Sequence, residues 1–248
     1  MSSAEHLPLL PTFTAETDPH EICRAGLTAA NGPVTLACSF SIDDVVLIDL
    51  LKDHLGELTV FAIDTGRLNE ETYEVAESVT QRYGIAIQWF FPERAAVEQL
   101  ERGKGLFSFR ESVENRQECC FIRKVEPLRR ALRGQAGWIT GLRRAQSVTR
   151  EELAPLEIDT ANGGLLKINP LIYWSDEQVW AHAAARALPV NRLHRQGYPS
   201  IGCAPCTRAI QPGDHPRAGR WWWEDPAHKE CGLHGRGGTA YDGGGAGI

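Results

Sequence analysis

Four of the seven cysteines are placed where they could bind a metal centre. Cys119 and Cys120 are adjacent in the sequence, and Cys203 and Cys206 form a C-x-x-C pair. Four thiolates are sufficient to hold an iron–sulfur cluster or a single metal ion. This spacing therefore predicts a cysteine-ligated centre built from two distant parts of the chain.

A fifth cysteine, Cys231, stands apart near the C-terminus. Lys229 and His234 flank it, and a nearby positive charge favours the thiolate, which is the reactive form. An isolated thiolate can serve as a nucleophile that forms a covalent intermediate. The cysteine layout as a whole predicts redox chemistry with a dedicated attacking cysteine.

Size and composition indicate a globular protein that works in a reducing compartment. The chain has 248 residues, of which 42% are hydrophobic, enough for one sizeable α/β domain or two small ones. We find no apolar run of membrane-spanning length and no secretion signal in residues 1–19, so we expect a cytoplasmic location. Thiols stay reduced there, so seven cysteines favour metal binding or catalysis over a disulfide framework.

The basic residues point to an anionic substrate. Arginine supplies 21 of the 26 basic residues, while the first 100 residues hold 16 Asp and Glu against 5 Lys and Arg. The planar guanidinium group matches the oxygens of phosphate and sulfate, although a solvated arginine-rich surface would give the same composition. The net charge of −6 and the lack of an interleaved aromatic and basic motif argue against nucleic acid as a partner.

The hydrophobic pattern alternates between strands and helices, which predicts a parallel sheet with crossover helices. Strands are predicted at 34–38, 58–63, 85–91 and 137–141, and helices at 43–55, 70–83 and 110–133. Near Ile158 and at 165–168, two more strands could form a hairpin. A helix follows to about Ala187, opened by a capping box of Ser175 and Gln178. From Asn191 onward the pattern is loop-like, and the glycine-rich stretch 235–248 is predicted to be disordered.

Polar segments follow three of these strands. Ser39-Phe40-Ser41 leads from the first strand into a helix, where backbone N–H groups and hydroxyls suit a phosphate or sulfate. Residues 64–67 follow the second strand and residues 141–147 follow the fourth. Ligands of open parallel sheets bind beyond the carboxyl ends of the strands, so these segments predict one shared crevice.

Several motifs now give the chain a family resemblance. They are Asp64-Thr65-Gly66-Arg67-Leu68, Cys119-Cys120-x-x-Arg123-Lys124, Gly141-x-Arg143-Arg144-x-Gln146-Ser147, Cys203-x-x-Cys206-Thr207-Arg208, Gly219-Arg220-Trp221-Trp222-Trp223-Glu224 and Glu230-Cys231-Gly232-Leu233-His234. In this order, between about Cys38 and His234, the chain resembles the assimilatory adenylyl-sulfate reductases of the wider 3′-phosphoadenylyl-sulfate reductase family.

The resemblance implies a fold and a domain organisation. We expect an α/β adenine-nucleotide α-hydrolase-like, Rossmann-like domain with a parallel sheet and a modified pyrophosphate loop. Residues 1–210 would form the nucleotide-binding and iron–sulfur reductase domain, and residues 211–248 a flexible C-terminal tail with the catalytic cysteine. One departure is Ser41, which stands where the family often has glycine, and a Cβ there limits how closely the backbone approaches an anion. It is therefore open whether Ser39 or Ser41 contacts the substrate.

The resemblance also implies roles for individual residues. Cys119, Cys120, Cys203 and Cys206 would bind a [4Fe–4S] cluster, and the charge of Lys124 would offset that of the cluster and the substrate. A zinc site is the alternative, although adjacent cysteines fit its usual spacing poorly. The implied substrate-binding residues are Ser39, Ser41, Asp64, Thr65, Gly66, Lys124, Arg143, Arg144, Arg217 and Arg220. Glu230 and His234 belong to the motif around the catalytic Cys231.

The implied reaction proceeds through the tail cysteine. Cys231 would attack the sulfur of adenylyl sulfate, displace AMP and become an S-sulfocysteine, from which a thioredoxin or glutaredoxin dithiol would release sulfite. No electron needs to pass through the cluster, so we expect it to act structurally and electrostatically.

Three other readings share part of this pattern. The same chemistry could use 3′-phosphoadenylyl sulfate, although family members with that substrate typically lack the cluster cysteines. A sensor could hold a cluster and a nucleotide without turnover, but the intact motif around Cys231 argues against this. A nucleotidyl transferase of the same fold would want a fuller glycine-containing loop than residues 39–41 offer. The sequence leaves the oligomeric state open, and a homo-oligomer is compatible with it.

Overall fold

The computed structural model describes residues 10–146 and 152–225. The predicted tail beyond residue 225 lies outside the described residues, together with Glu230, Cys231 and His234. The boundary predicted at residue 210 stays a prediction, as does the disorder of residues 235–248.

Six strands form one sheet, in the order β3-β2-β1-β4-β6-β5. The strands are β1 (Val34–Ala37), β2 (Thr59–Ile63), β3 (Ile87–Phe90), β4 (Gly137–Ile139), β5 (Leu156–Asp159) and β6 (Leu165–Ile168). All neighbours pair in parallel except β5, which runs antiparallel to β6 at the edge. The sequence-predicted parallel sheet and terminal hairpin are thus confirmed.

Seven α-helices are described: α1 (Pro19–Ala30), α2 (Ile42–Leu50), α3 (Glu70–Tyr83), α4 (Arg94–Lys104), α5 (Val113–Cys120), α6 (Glu126–Ala131) and α7 (Asp176–Ala185). A π-helical segment, Phe121–Val125, joins α5 to α6 and interrupts the single helix predicted there. The helix predicted at 43–55 also ends early, because Leu51 leaves helical geometry and a 3₁₀ turn, Lys52–His54, takes over.

The core lies between the sheet and the helices that cover it. Buried aliphatic side chains from β1, α2 and β6, including Leu36, Leu47 and Ile168, form its centre. Helix α1 approaches β6 closely at Gly26, where a Cβ would come within 2.7 Å of Ile168 Cδ1. No helix among the described residues is long and apolar enough to cross a membrane.

The topological switch point of the sheet lies between β1 and β4, where successive strands begin to be added on the opposite side of β1. The chain lays β2 and β3 on one side of β1, and β4, β6 and β5 on the other. The loops that follow β1 and β4 therefore diverge and leave a crevice at the carboxyl edge of the sheet, where open α/β proteins bind ligands.

Candidate active site

A cavity of about 640 Å³ occupies the crevice at the carboxyl edge of the sheet. Its walls include the loops after β1, β2 and β4, as the strand pattern predicts. Seven of the predicted substrate-binding residues line it: Ser39, Ser41, Thr65, Lys124, Arg143, Arg217 and Arg220. Asp64, Gly66 and Arg144 are not among its lining residues.

The loop after β1 is organised by Asp44. The backbone N–H and the hydroxyl of Ser39 both donate to Asp44 Oδ2, at 2.7 and 2.6 Å. Ser41 is the N-cap of α2, and its hydroxyl accepts from the backbone N–H of Asp44. The two donors of Ser39 thus already hold a carboxylate, and the cap role of Ser41 points its hydroxyl at the helix.

Two adjacent carboxyl groups stand at this end of the cavity. Burial raises the pKa of Asp44 to about 6, against the hydrogen bonds from Ser39, which lower it. Asp43 forms an ion pair with Arg143, whose Nε lies 2.6 Å from Asp43 Oδ1. This end of the cavity is therefore the acidic end.

Of the two arginines after β4, only the first lies at the cavity. Arg143 is 4% exposed and also pairs with Asp176, at 2.6 Å. Arg144 stacks its guanidinium on the ring of Tyr173, 5.0 Å away, and donates from Nε to the Leu153 carbonyl. The structure thus places Arg144 on the far side of this loop, where it holds the loop rather than facing a ligand.

The loop after β2 links the cavity to the cysteines. Asp64 accepts hydrogen bonds from the Gly66 N–H and the Tyr73 hydroxyl, and Gly66 has φ +70°. These contacts fold a tight turn that glycine's freedom at positive φ permits. The turn brings the Thr65 hydroxyl to 3.3 Å from Cys203 Sγ. Asp64 and Gly66 therefore shape the loop, while Thr65 faces both sites.

The four predicted ligand cysteines lie together. Cys119, Cys120, Cys203 and Cys206 are buried, carry free thiols and line one small cavity, which we call the cysteine chamber. The first pair ends α5, just before the π-helical segment, and the second pair brackets a 3₁₀ turn. Two segments that are distant in sequence are thus packed into one buried cluster.

Cationic side chains surround the cysteine chamber. Arg67, Arg116, Arg123, Lys124 and Arg220 all line it. Glu101, on α4, accepts from Arg67 at 2.9 Å and from Arg123 at 2.6 Å through the same oxygen, which fixes both guanidinium groups beside the thiols. Five cations around four thiols suit a centre of negative charge.

The thiols of the chamber differ in their acidity. Burial raises the pKa of Cys119 above its ordinary value and that of Cys206 to about 12. Burial would raise the pKa of Cys203 as well, but Lys124 and the hydrogen bond from Thr65 outweigh it and lower that pKa. Cys203, which lines both the chamber and the cavity, is thus easier to deprotonate than Cys119 or Cys206.

The donor set of the chamber fits an iron–sulfur cluster. Arg123 Nε and Trp221 Nε1 are buried N–H donors without a hydrogen-bond partner, and both residues line the chamber. Sulfur atoms of a cluster accept such hydrogen bonds. In the described part of the chain, no three His, Cys, Asp or Glu side chains are arranged around a single metal ion. A cluster differs from an ion in attaching each cysteine to its own iron atom.

The cavity and the cysteine chamber share a wall. Lys124, Cys203, Arg220 and Trp221 line both, and Arg217 lines the cavity. The cavity is therefore polarised, with Asp43 and Asp44 at α2 and a cationic end beside the thiols. An anionic group bound at the cationic end would lie against the chamber.

Sequence reasoning missed three residues that shape these sites. Asp44 lies three positions after Ser41, in the first turn of α2, and the serine-containing loop before it was the only nearby signal. Arg116 and Glu101 carry no motif, and their roles depend on contacts between α4, α5 and the segment that ends at Glu224.

The fold and the two adjoining sites define an α/β protein with a ligand cavity at the carboxyl edge of a mostly parallel sheet. A solved phosphoadenylyl-sulfate reductase from Candida auris, in complex with phosphate, has the same fold, with a TM-score of 0.65 and 27% sequence identity over 79% of this chain and 91% of that one. The predicted fold class is thus confirmed.

Sequence comparison identifies the family. The model of the phosphoadenosine phosphosulfate reductase domain matches residues 33–209. The adenosine 5′-phosphosulfate reductase of Allochromatium vinosum is 51% identical over 82% of this chain and 79% of its own length. The enzyme of that name from Burkholderia cepacia is 46% identical over 94% and 93% of the two chains. The chain belongs to the phosphoadenosine phosphosulfate reductase family.

Proposed function

We propose that this protein reduces adenylyl sulfate to sulfite and AMP in the cytoplasm, as a step of sulfate assimilation, with a thioredoxin or glutaredoxin as the reductant. The observation that carries the proposal is the wall shared by the cavity and the cysteine chamber, where Lys124 and Arg220 face both. A substrate with one anionic and one nucleoside end matches a cavity with one cationic end. The two similar proteins named adenosine 5′-phosphosulfate reductase support this substrate.

The cationic end would bind the phosphosulfate group. Lys124, Arg217 and Arg220 offer an ammonium and two guanidinium groups, which bind phosphate and sulfate oxygens by charge-assisted hydrogen bonds. The same charges would stabilise the phosphate that accumulates negative charge as AMP leaves. Ser39 and Arg143 are already engaged with carboxylates, so their part is to shape the cavity.

The chemistry would proceed in two displacements at sulfur. The Cys231 thiolate attacks the sulfur of adenylyl sulfate, the bond from that sulfur to the phosphate oxygen breaks, and AMP leaves. A thiolate of the reductant then attacks Cys231 Sγ, and sulfite leaves with the electron pair of the S–S bond. The second thiol of the reductant closes its disulfide and frees Cys231. The substrate sulfur gains the two electrons that the dithiol loses.

Cys119, Cys120, Cys203 and Cys206 would hold a [4Fe–4S] cluster. When bound, the cluster would supply a fixed negative charge beside Lys124 and Arg220, which line both the chamber and the cavity, and no electron would need to pass through it. Lys124 and the hydroxyl of Thr65 hold the Cys203 thiolate at the boundary of the two sites. The part of the predicted tail beyond Asp225 would bring Cys231 to the cationic end and later present it to the reductant, since residues 211–225 already contribute Arg217 and Arg220 to that end.

The intermediate gives the sharpest test. Anaerobically purified enzyme is allowed one turnover without reductant, with adenylyl sulfate or its 3′-phosphorylated form. The intact protein and its proteolytic peptides are then analysed by mass spectrometry. We expect one sulfonate group on Cys231, formed with adenylyl sulfate, and none in the variant Cys231→Ser, which should still bind AMP. An adduct formed mainly with the phosphorylated substrate would keep the mechanism and change the substrate. Sulfite formation by Cys231→Ser would refute the role of this cysteine.

A further inference from the structure

A second surface feature lies next to the cysteine chamber. Leu106 and Phe107 expose 58% and 57% of their surface, more than any other large hydrophobic residue in the described ranges. They follow α4, and Phe107 packs its ring 6.0 Å from that of buried Phe109. Two adjacent exposed apolar side chains contribute to a contiguous surface patch, and contiguous apolar patches mark interaction surfaces when other groups extend them.

Two arginines extend this patch toward the C-terminal segment. The guanidinium of Arg110 lies 5.1 Å from the ring of Phe107 and 5.5 Å from that of Trp222. The guanidinium of Arg208 also packs on Trp222, 5.3 Å from its ring. Both arginines are exposed. We call Leu106, Phe107, Arg110, Arg208 and Trp222 the aromatic–arginine face.

The aromatic–arginine face includes Trp222, which is close in sequence to Cys231, the cysteine that the reductant must reach. Trp222 is three positions before Asp225, the last described residue, and Cys231 follows six positions later. Six residues span at most about 20 Å. A protein that reduces Cys231 must therefore dock within that distance of Asp225, and a patch of about 800 Å² on each partner covers much of this region.

We propose that the aromatic–arginine face is the docking surface of the protein dithiol that reduces Cys231. This inference rests on the proposed function. The occupant we infer is a small acidic protein with its dithiol in an apolar surface: the apolar part would cover Leu106 and Phe107, and carboxylates would meet Arg110 and Arg208. Transient redox complexes use small interfaces, for which two apolar anchors with a charged rim suffice.

The composition of the tail argues against the tail as the occupant. Residues 226–248 contain three large apolar residues, Leu233, Tyr241 and Ile248, among glycines and polar residues. An apolar patch gains little from covering by such a segment. A separate partner is therefore the better match.

The test compares a protein reductant with a small one. We would measure sulfite formation by the holoenzyme and by the double variant Leu106→Ser/Phe107→Ser, with a bacterial thioredoxin or with dithiothreitol. We expect the KM for thioredoxin to rise at least tenfold, while the rate with dithiothreitol stays within twofold of the wild type. Phe91→Ser is the matched control, because Phe91 is 55% exposed but follows β3 instead of α4, and it should leave both rates as they are.

A second variant covers the case in which the double variant folds poorly. Arg208→Glu changes the charge of the rim alone, and we expect it to raise the KM for thioredoxin at least threefold, with the difference fading at high salt. An unchanged KM in both variants would overturn the proposal. A wild-type dimer in light scattering that the double variant dissociates would also overturn it, in favour of a second copy of the chain. Wild-type enzyme that makes no sulfite even with dithiothreitol would instead refute the proposed function.

Discussion

Asp44 and Cys203 show how burial acts differently on two acids of one site. Asp44 is buried beside another carboxyl group, and its pKa rises to about 6 although Ser39 donates two hydrogen bonds to it. Cys203 is equally enclosed, but Lys124 lies beside it and its pKa falls. The neighbouring charge therefore decides whether the pKa of each buried acid ends above or below its ordinary value.

The raised pKa of Asp44 predicts a pH-dependent stability. Because the folded state disfavours the ionised form, Asp44 contributes most to the free energy of unfolding at pH values below its pKa in the unfolded chain. This contribution is lost as the pH rises through about 6. The variant Asp44→Asn should therefore gain stability relative to the wild type, by about 1.5 kcal/mol more at pH 7.5 than at pH 5. Denaturant unfolding at both pH values measures this, with the exposed Asp53→Asn as control. A difference that does not depend on pH would contradict it.

At the residue scale, the positions of side chains were predicted well where a motif consists of residues that bind one ligand together. The four ligand cysteines were expected together because thiols in these two spacings suit one centre, and they do meet. Arg144 was expected at the substrate from the family resemblance and because guanidinium groups suit oxyanions. It does not line the cavity and stacks on Tyr173, since successive residues of a loop point in different directions, and its role in binding stays a prediction. Whether Cys231 acts as the nucleophile stays a prediction.

Among the elements, the loop after β4 depends most on one position. Gly141 lies against α2, where an added Cβ would collide with the carboxylate of Asp44 and approach Asp43 Cβ to 3.2 Å. We expect Gly141→Ala to lower the unfolding free energy by about 1–3 kcal/mol, since overpacking at a close contact costs this much. We also expect at least a tenfold loss of AMP affinity by calorimetry, because the walls of the cavity must shift.

The matched control is Gly103→Ala in α4. Nothing lies within 4 Å of the added Cβ, and alanine favours the helix by up to about 1 kcal/mol. This variant should keep its AMP affinity and gain slightly in stability. Similar losses of AMP binding in both variants would show that Gly141 has no special place in the site.

Helices were predictable from the sequence where local signals such as capping residues mark their ends. The capping box of Ser175 and Gln178 is present at α7, and the predicted range of α3 is the observed one. Helix α4 was missed although Ala96, Val97 and Leu100 recur at helical spacing on one face. Of these three residues only Leu100 is buried. The π-helical segment carries no sequence signal of its own. Two of its residues, Arg123 and Lys124, line the chamber beside Cys119 and Cys120 of α5.

At the scale of the whole molecule, one buried ion pair joins the C-terminal segment to the body. Arg116 Nε donates to both oxygens of Glu224, at 2.7 and 3.0 Å, and the two side chains are 1% and 3% exposed. Arg116 stands four positions before Cys120, and Glu224 directly follows the tryptophan triplet. The pair thus ties the base of the predicted tail to the helix that carries the first two cysteines.

The variant Glu224→Gln should therefore loosen this junction. Removing one partner leaves the guanidinium of Arg116 without its buried counter-charge, which typically costs 3–5 kcal/mol, so we expect a loss of at least about 3 kcal/mol in the unfolding free energy. Hydrogen exchange of residues 221–224 should accelerate. Glu74→Gln breaks an exposed pair with Arg192 and should cost less than about 1 kcal/mol. Comparable losses in the two variants would refute the anchoring role.

The division of the cysteine chamber between two distant segments has a consequence for biosynthesis. Cys120 and Cys203 are separated by 83 positions, which include β4, the hairpin and α7. At about 5–20 residues per second, the ribosome makes the second pair about 4–17 seconds after the first. During that interval Cys119 and Cys120 are two unprotected thiols on the nascent chain, because Cys203, Cys206 and Arg220 have not yet been synthesised. Assembly of the proposed cluster would therefore be confined to the end of translation, and of the four chamber cysteines only the first pair is exposed to oxidants in those seconds.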